Sequence, residues 1–251
     1  MHPFSVRRLP FTLTESSVVA IIPARFDSTR LPGKALADLA GRPMIEHVYR
    51  RASSASRVHG TIVATDDPRI VQAVEAFGGA VLMTRADHLS GTDRIAEIAA
   101  TLPCRIVVNV QGDEPLIEPE AIDAAVEPLL NDAALEMSTL CRPLVDAEEF
   151  ASRHVVKVVT DLRGRALYFS RAPLAAARAH IGLYAYRRDV LLRLAALPPA
   201  PLEQAESLEQ LRALSNGVGI QVVETRHASP GVDTPDDLER VRQLLMASSR
   251  I

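Results

Sequence analysis

Val18-Val-Ala-Ile-Ile22 is an unbroken apolar run closed by Pro23. A strand without a polar residue on either side of its pleat has to be covered on both faces, the situation of a strand inside a parallel sheet. Residues 43–52 then show helical spacing, with Met44, Ile45, Val48 and Tyr49 on one stripe. Residues 60–65 read as a second strand ending at Asp66-Asp67-Pro68. The helix that starts there carries Ile70, Val71, Val74 and Phe77 and stops at Gly78-Gly79. Strand 80–83, helix 92–100 and strand 105–110 repeat the order. Such alternation predicts an α/β fold, a mostly parallel sheet with helices on both faces.

Beyond residue 117 the pattern loosens. Strands are expected at 137–141, 155–160, 166–169 and 180–186, with a turn at Arg163-Gly164. Helices follow at 188–196, 202–214 and 235–246, with a strand at 220–224. This reads as a single domain over 18–251 with a small mixed-strand subdomain near 138–186, preceded by a disordered extension over 1–17.

Composition narrows the function. The formal net charge is −3 and aromatic residues reach only 4%, which leaves no basic face for nucleic acid. No apolar stretch approaches the roughly 20 residues that span a bilayer, so no membrane association is expected. Cys104 and Cys141 lack metal-ligand spacing, and the first 17 residues show no clear cleavage site. A cytoplasmic protein is the expectation.

In open parallel sheets ligands bind beyond the carboxyl ends of the strands, and three unusual polar segments fall there. The first, Pro23-Ala-Arg-Phe-Asp-Ser-Thr-Arg-Leu-Pro-Gly-Lys34, places Arg25, Arg30 and Lys34 on one loop with Gly33 and the hydroxyls of Ser28 and Thr29. Guanidinium forks and backbone N–H groups of such a loop suit a triphosphate, although it is not a Walker loop. The second, Asn109-Val-Gln-Gly-Asp-Glu-Pro-Leu116, offers Asp113 as a hard oxygen ligand for Mg²⁺, or as a simple turn residue. Asp233 is a candidate second carboxylate, or a helix cap before Pro235. The third, 83–94, mixes donors and acceptors suited to a base edge and ribose; His88 there reads as structural.

These residues resemble one family, the 3-deoxy-manno-octulosonate (Kdo) cytidylyltransferases, also called CMP-Kdo synthetases. The resemblance rests on PARFDSTRLPGK (23–34), ATDD (64–67), MTRADHLSGTDR (83–94), NVQGDEP (109–115), KVV (157–159), LYFSRAP (167–173), HIGLYAYR (180–187), LEQLRAL (208–214) and GVDTPDDLERVR (231–242). It implies a nucleotide-diphospho-sugar transferase-like fold and CMP transfer from CTP to Kdo, with release of pyrophosphate, for lipopolysaccharide synthesis. It also implies that Arg25, Arg30 and Lys34 serve the triphosphate and its transfer, and that Asp113 and Asp233 hold Mg²⁺. Gln111, Arg171, His180, Tyr184, Glu209 and Gln210 would line the sugar pocket, Arg171 facing the sugar carboxylate. Ser90 and Gly91 would contact cytidine, and a homodimer is the family expectation. The sequence departs at one place: only Ala172 to Ala179 separate Arg171 from His180, where the family carries a longer segment. That departure keeps open another 2-keto acid sugar (8-amino-Kdo or a nonulosonic acid) or a catalytically silent homologue.

Overall fold

The computed structural model describes residues 9–27, 31–88, 90–227 and 229–248. Strand β1 (Val18–Ala24) leads through a 3-10 turn at Lys34–Leu36 and a small hairpin, β2 (Asp38–Leu39) and β3 (Arg42–Pro43), into α1 (Met44–Ser54). The alternation continues with β4 (Gly60–Thr65), α2 (Pro68–Ala76), β5 (Val81–Met83), α3 (Gly91–Ala100) and β6 (Ile106–Asn109). Next come α4 (Pro119–Asn131), β7 (Met137–Arg142), α5 (Ala147–Ala151), β8 (Lys157–Thr160), β9 (Ala166–Ser170) and β10 (Arg178–Arg187). The last elements are α6 (Arg188–Ala195), α7 (Pro201–Glu206), α8 (Gln210–Ser215), β11 (Ile220–Glu224) and α9 (Pro235–Ser248).

One sheet runs in the order β11-β7-β10-β6-β1-β4-β5, with β8 paired to β10 and β9 to β8. Strands β6, β1, β4 and β5 are mutually parallel, as are β11 and β7, whereas β10 runs antiparallel to both β6 and β7. The expected mostly parallel α/β architecture is therefore the observed one. The strands expected as a mixed subdomain near 138–186 are joined to the main sheet through β10, whose first residues pair with β8.

The apolar run that opens the sequence explains the layering. Val18, Ala20 and Ile22 of β1 pack with Ile45 and Val48 of α1, Ile70 of α2 and Ile122 of α4. Their neighbours Val19 and Ile21 point to the other face, among Ile95 of α3, Leu191 of α6 and Leu211 of α8. Period-two alternation thus feeds two apolar layers, and the central strand is buried on both sides.

Three expectations change. Beyond residue 117, where the sequence pattern loosens, α4 forms: Pro119 fits its first turn, and Ala121, Ile122, Ala125, Val126 and Leu129 bury one face. The helix expected over 202–214 is two helices, α7 and α8, broken at Ser207, which takes a left-handed φ of 54°. Arg212 spans that break, donating from Nε and Nη2 to the two carboxylate oxygens of Glu203. Residues 9–17 of the extension expected to be disordered are packed, because Leu9, Phe11 and Leu13 lie against the second apolar layer. Phe11 covers Gly60 so closely that a Cβ there would meet its ring at 2.4 Å; residues 1–8 lie outside the described residues. Phe11→Ala should lower unfolding free energy by about 2 kcal/mol, part of the cost of a fully buried phenylalanine. Urea denaturation checks this; an unchanged midpoint would mean the segment contributes nothing to the fold.

Candidate active site

Strands β1 and β6 lie side by side, and the chain leaves them toward opposite edges of the sheet: β4 and β5 flank β1 on one side, and β10 flanks β6 on the other. Such a switch point opens a crevice at the carboxyl ends of the strands. Two backbone loops close against each other there. A Cβ on Gly112 would come within 2.8 Å of the Pro23 carbonyl oxygen, so only glycine allows the loop after β6 to pack against the end of β1. The loop after β1 is drawn shut by the Gly33 N–H, which donates to the Phe26 carbonyl at 3.0 Å. Gly33 has a left-handed φ of 69°, and Lys34 follows at the start of the 3-10 turn.

Lys34 is the centre of the crevice. Its Nζ donates to Asp113 Oδ2 at 2.7 Å and to Asp233 Oδ1 at 3.1 Å. Asp233 arrives from far along the chain because Val232, fully buried with Leu39, Met44 and Val241, anchors its loop. The Val232 N–H also donates to the Asp113 carbonyl at 2.9 Å. The cap of α9 falls to Thr234 and Asp237, which exchange side chain-to-backbone bonds. Asp233 is thereby turned to the ammonium instead of capping the helix. Burial alone would lower the Lys34 pKa, but Asp113 and then Asp233 outweigh it and hold it above its usual value. Arg25 reaches across the crevice mouth, its Nη2 donating to the His88 carbonyl at 2.7 Å. Arg25, Lys34, Gln111 and Asp113 line a cleft of about 90 Å³. Arg30, with Ser28 and Thr29, lies outside the described residues.

Two carboxylates facing one ammonium form a seat for positive charge. Each has an oxygen within about 3 Å of the same point, which suits a hard cation whose other ligands are phosphate and water oxygens. Among the described residues no third acidic, histidine or cysteine ligand joins them. Burial first, and the Asp113 charge second, push the neighbouring Glu114 up to about 8.

A second cavity, about 260 Å³, adjoins this crevice. Gly91, Gln111, Tyr184, Glu209 and Gln210, all expected at the sugar or nucleotide, line it. Gln210 is 5% exposed, and its Nε2 has no hydrogen-bond partner among the described residues. A buried donor at a cavity wall that the protein leaves unpaired is available to an acceptor, from water or from a bound molecule. Thr92 Oγ1 donates to Glu209 Oε2, joining α3 to the start of α8 across the cavity. Thr92, Asn109, Gly182 and Tyr186 also line it and were not singled out from sequence. Tyr186 lies two residues beyond Tyr184 on β10, so strand alternation carried that signal.

Three expected residues lie elsewhere. Arg171 is not among the residues lining the cavity: its guanidinium donates to the carbonyls of Glu206, Arg153 and Ser207, which hold it at the α7–α8 corner. His180 lies behind the cavity wall, edge-on to Phe169, with Nε2 2.9 Å from Thr139 Oγ1. Burial pushes it down to about 3, so it is neutral at ordinary pH. Ser90 accepts the Asp93 N–H at 3.1 Å and caps α3; it lines an open cleft of about 890 Å³ that adjoins the cavity and shares Ser207, Leu208, Glu209 and Arg212 with it. Arg94, in the segment expected to read the base, is fully buried beside Thr84 and Asp66. His88 contacts Glu97 and is structural, as its sequence context suggests.

A switch-point crevice with a cationic loop and paired carboxylates defines a nucleotide-diphospho-sugar transferase-like protein. A family model described as cytidylyltransferase matches residues 19–222, and the chain belongs to the cytidylyltransferase family. It is 55% identical to the 3-deoxy-manno-octulosonate cytidylyltransferase of Geobacter sulfurreducens, over 91% of this chain and 99% of that protein. It is 54% identical to the protein of the same name from Solibacter usitatus, over 92% and 95%. Among solved structures it matches CMP:2-keto-3-deoxy-manno-octonic acid synthetase complexed with CTP, with a TM-score of 0.90 and 48% identity over 93% of this chain and 100% of that one. A putative glucose-1-phosphate thymidylyltransferase from Bacillus anthracis, 17% identical with a TM-score of 0.69, shares the fold alone.

Two outcomes follow from this geometry. Gly112→Ala should cut turnover by about a hundredfold, because the backbone clash with Pro23 displaces Asp113 from Lys34; steady-state kinetics on the folded variant measures it. His180 has a folded pKa below its unfolded value of 6.5, so its contribution to stability is full above about pH 6.5 and is lost as pH falls toward 3. The stability difference between the chain and His180→Gln should therefore narrow from pH 7 to pH 4 in denaturation experiments.

Proposed function

We propose that this chain transfers CMP from CTP to Kdo, forming CMP-Kdo and pyrophosphate. The observation that carries the reading is Lys34 held between Asp113 and Asp233 at the carboxyl ends of β1 and β6. The relatives reported above carry the Kdo name, which does not favour another 2-keto acid sugar or a silent homologue.

In this reading the triphosphate lies along the loop after β1. Lys34 and Arg25 present positive charge to its oxygens, and Arg30 belongs to the same stretch of sequence. The sugar occupies the 260 Å³ cavity, where Gln210 Nε2 gains its acceptor and Gln111, Tyr184 and Glu209 orient the hydroxyls. The anomeric oxygen of Kdo forms a bond to the α-phosphorus while the bond to the α,β-bridging oxygen breaks. Pyrophosphate departs with that bond's electron pair, and the hydroxyl proton passes to solvent. Asp113 and Asp233 would hold Mg²⁺, which supplies charge neutralisation on the phosphate oxygens when bound. The protein's own part is positioning and electrostatic stabilisation; it needs no covalent intermediate. Arg171 would meet the sugar carboxylate only by leaving the Glu206 and Ser207 carbonyls. Among the described residues no helix is long and apolar enough to cross a membrane. The proposal includes a cytoplasmic homodimer.

Pyrophosphate release from CTP and Mg²⁺, measured with Kdo and with a panel of other acidic sugars, tests the reading. Kdo-dependent release is expected, reduced by about a thousandfold or more in Asp113→Ala. Release with another sugar alone would overturn the acceptor, and no release with any sugar would overturn the transfer itself.

A further inference from the structure

Arg69, on the first turn of α2, belongs to none of the segments assigned to substrate, and its side chain is 57% exposed. It is nevertheless held in one orientation. Asp67 caps α2 by accepting the Arg69 N–H at 2.8 Å, and the same carboxylate takes Arg69 Nε at 2.9 Å and Nη2 at 2.5 Å. A bidentate carboxylate locks the guanidinium plane. That plane lies over the Phe26 ring, with Arg69 Cζ 3.2 Å from the ring centroid.

Phe26 is the neighbour of Arg25 and the residue at which the triphosphate loop closes. Its carbonyl accepts the Gly33 N–H at 3.0 Å, immediately before Lys34. Its ring also covers Gly33, where a Cβ would stand 3.2 Å from Phe26 Cζ. The ring is therefore gripped between Gly33 and the guanidinium, and the residues next to the grip on either side are Arg25 and Lys34. Phe26 is partly buried against the first apolar layer, which also holds Ile70 and Val74 of α2.

We infer that Arg69 is a positioning residue for the triphosphate loop, acting through Phe26 and held in place by Asp67. It sets the spacing of Arg25 and Lys34 before CTP arrives, so that less ordering is left to be done on binding. This rests on the cytidylyl-transfer reading of the same crevice, and it concerns the nucleotide half of the site alone.

The test uses the full chain with Arg69→Met, Arg69→Lys, Phe26→Leu and the double variant Phe26→Leu/Arg69→Met. Readouts are CTP affinity by calorimetry, KM for each substrate and Tm. Arg69→Met should weaken CTP binding and raise its KM about fivefold, as loss of a cation–π contact does. KM for Kdo should not move, and Tm should fall by no more than about 4 °C. Arg69→Lys should recover part of the loss, and the double variant should be no worse than the poorer single variant, because both act through one contact. CTP affinity unchanged in Arg69→Met, additive losses in the double variant, or a larger fall in Tm with equal change in both KM values would each overturn the positioning role. A chain that binds no CTP at all would overturn the transfer reading and this role together, whereas CTP binding indifferent to Arg69 overturns the role alone.

Discussion

The ammonium of Lys34 sits where three distant parts of the chain meet. Asp113 stands 79 residues away and Asp233 199 residues away, yet each places an oxygen within hydrogen-bond distance of Nζ. Holding two carboxylates together is costly without a cation between them. The fold accepts that cost at the ends of β1 and β6, buried along almost their whole length, where backbone packing leaves little freedom. Gly112 against the Pro23 carbonyl sets the first carboxylate, and the buried Val232 sets the second.

The two halves of the site are built differently. The crevice around Lys34 is charged and rests on backbone contacts between loops. The adjoining cavity is largely neutral and rests on side chains of β10 and α8, with Tyr184 raised far above its usual range by burial. A break at Ser207 turns α8 so that Glu209 and Gln210 face the cavity, and the Arg212–Glu203 pair keeps the break rigid. Charge handles the anionic nucleotide; the unpaired amide of Gln210 and its neutral neighbours suit a hydroxyl-rich acceptor.

Much of this was legible in the residues. The run Val18 to Ile22 reads as a strand buried on both faces, and the two polar loops that follow β1 and β6 mark the crevice. What escaped the sequence depended on tertiary contact. The α4 stripe is regular, but Pro128 within it and the looser surroundings masked it. Ser207 breaks a helix that propensity would continue, because Arg212 and Glu203 hold the two pieces at an angle. Phe11 reads as part of a disordered extension until Gly60 supplies the surface it covers. Arg171 and His180 carry motif identity, yet their environments place one on backbone carbonyls and the other behind the wall. Whether Asp233 caps a helix or faces a cation turns on Thr234, a residue whose capping role only the structure displays.

The most direct measurement is Mn²⁺ binding in the presence of CTP, followed by electron paramagnetic resonance in the chain and in Asp113→Ala and Asp233→Asn. One nucleotide-dependent Mn²⁺ site is expected, lost in the first variant and weakened in the second. Mn²⁺ binding with CTP that is indifferent to both substitutions would place the cation somewhere other than between the two carboxylates that face Lys34.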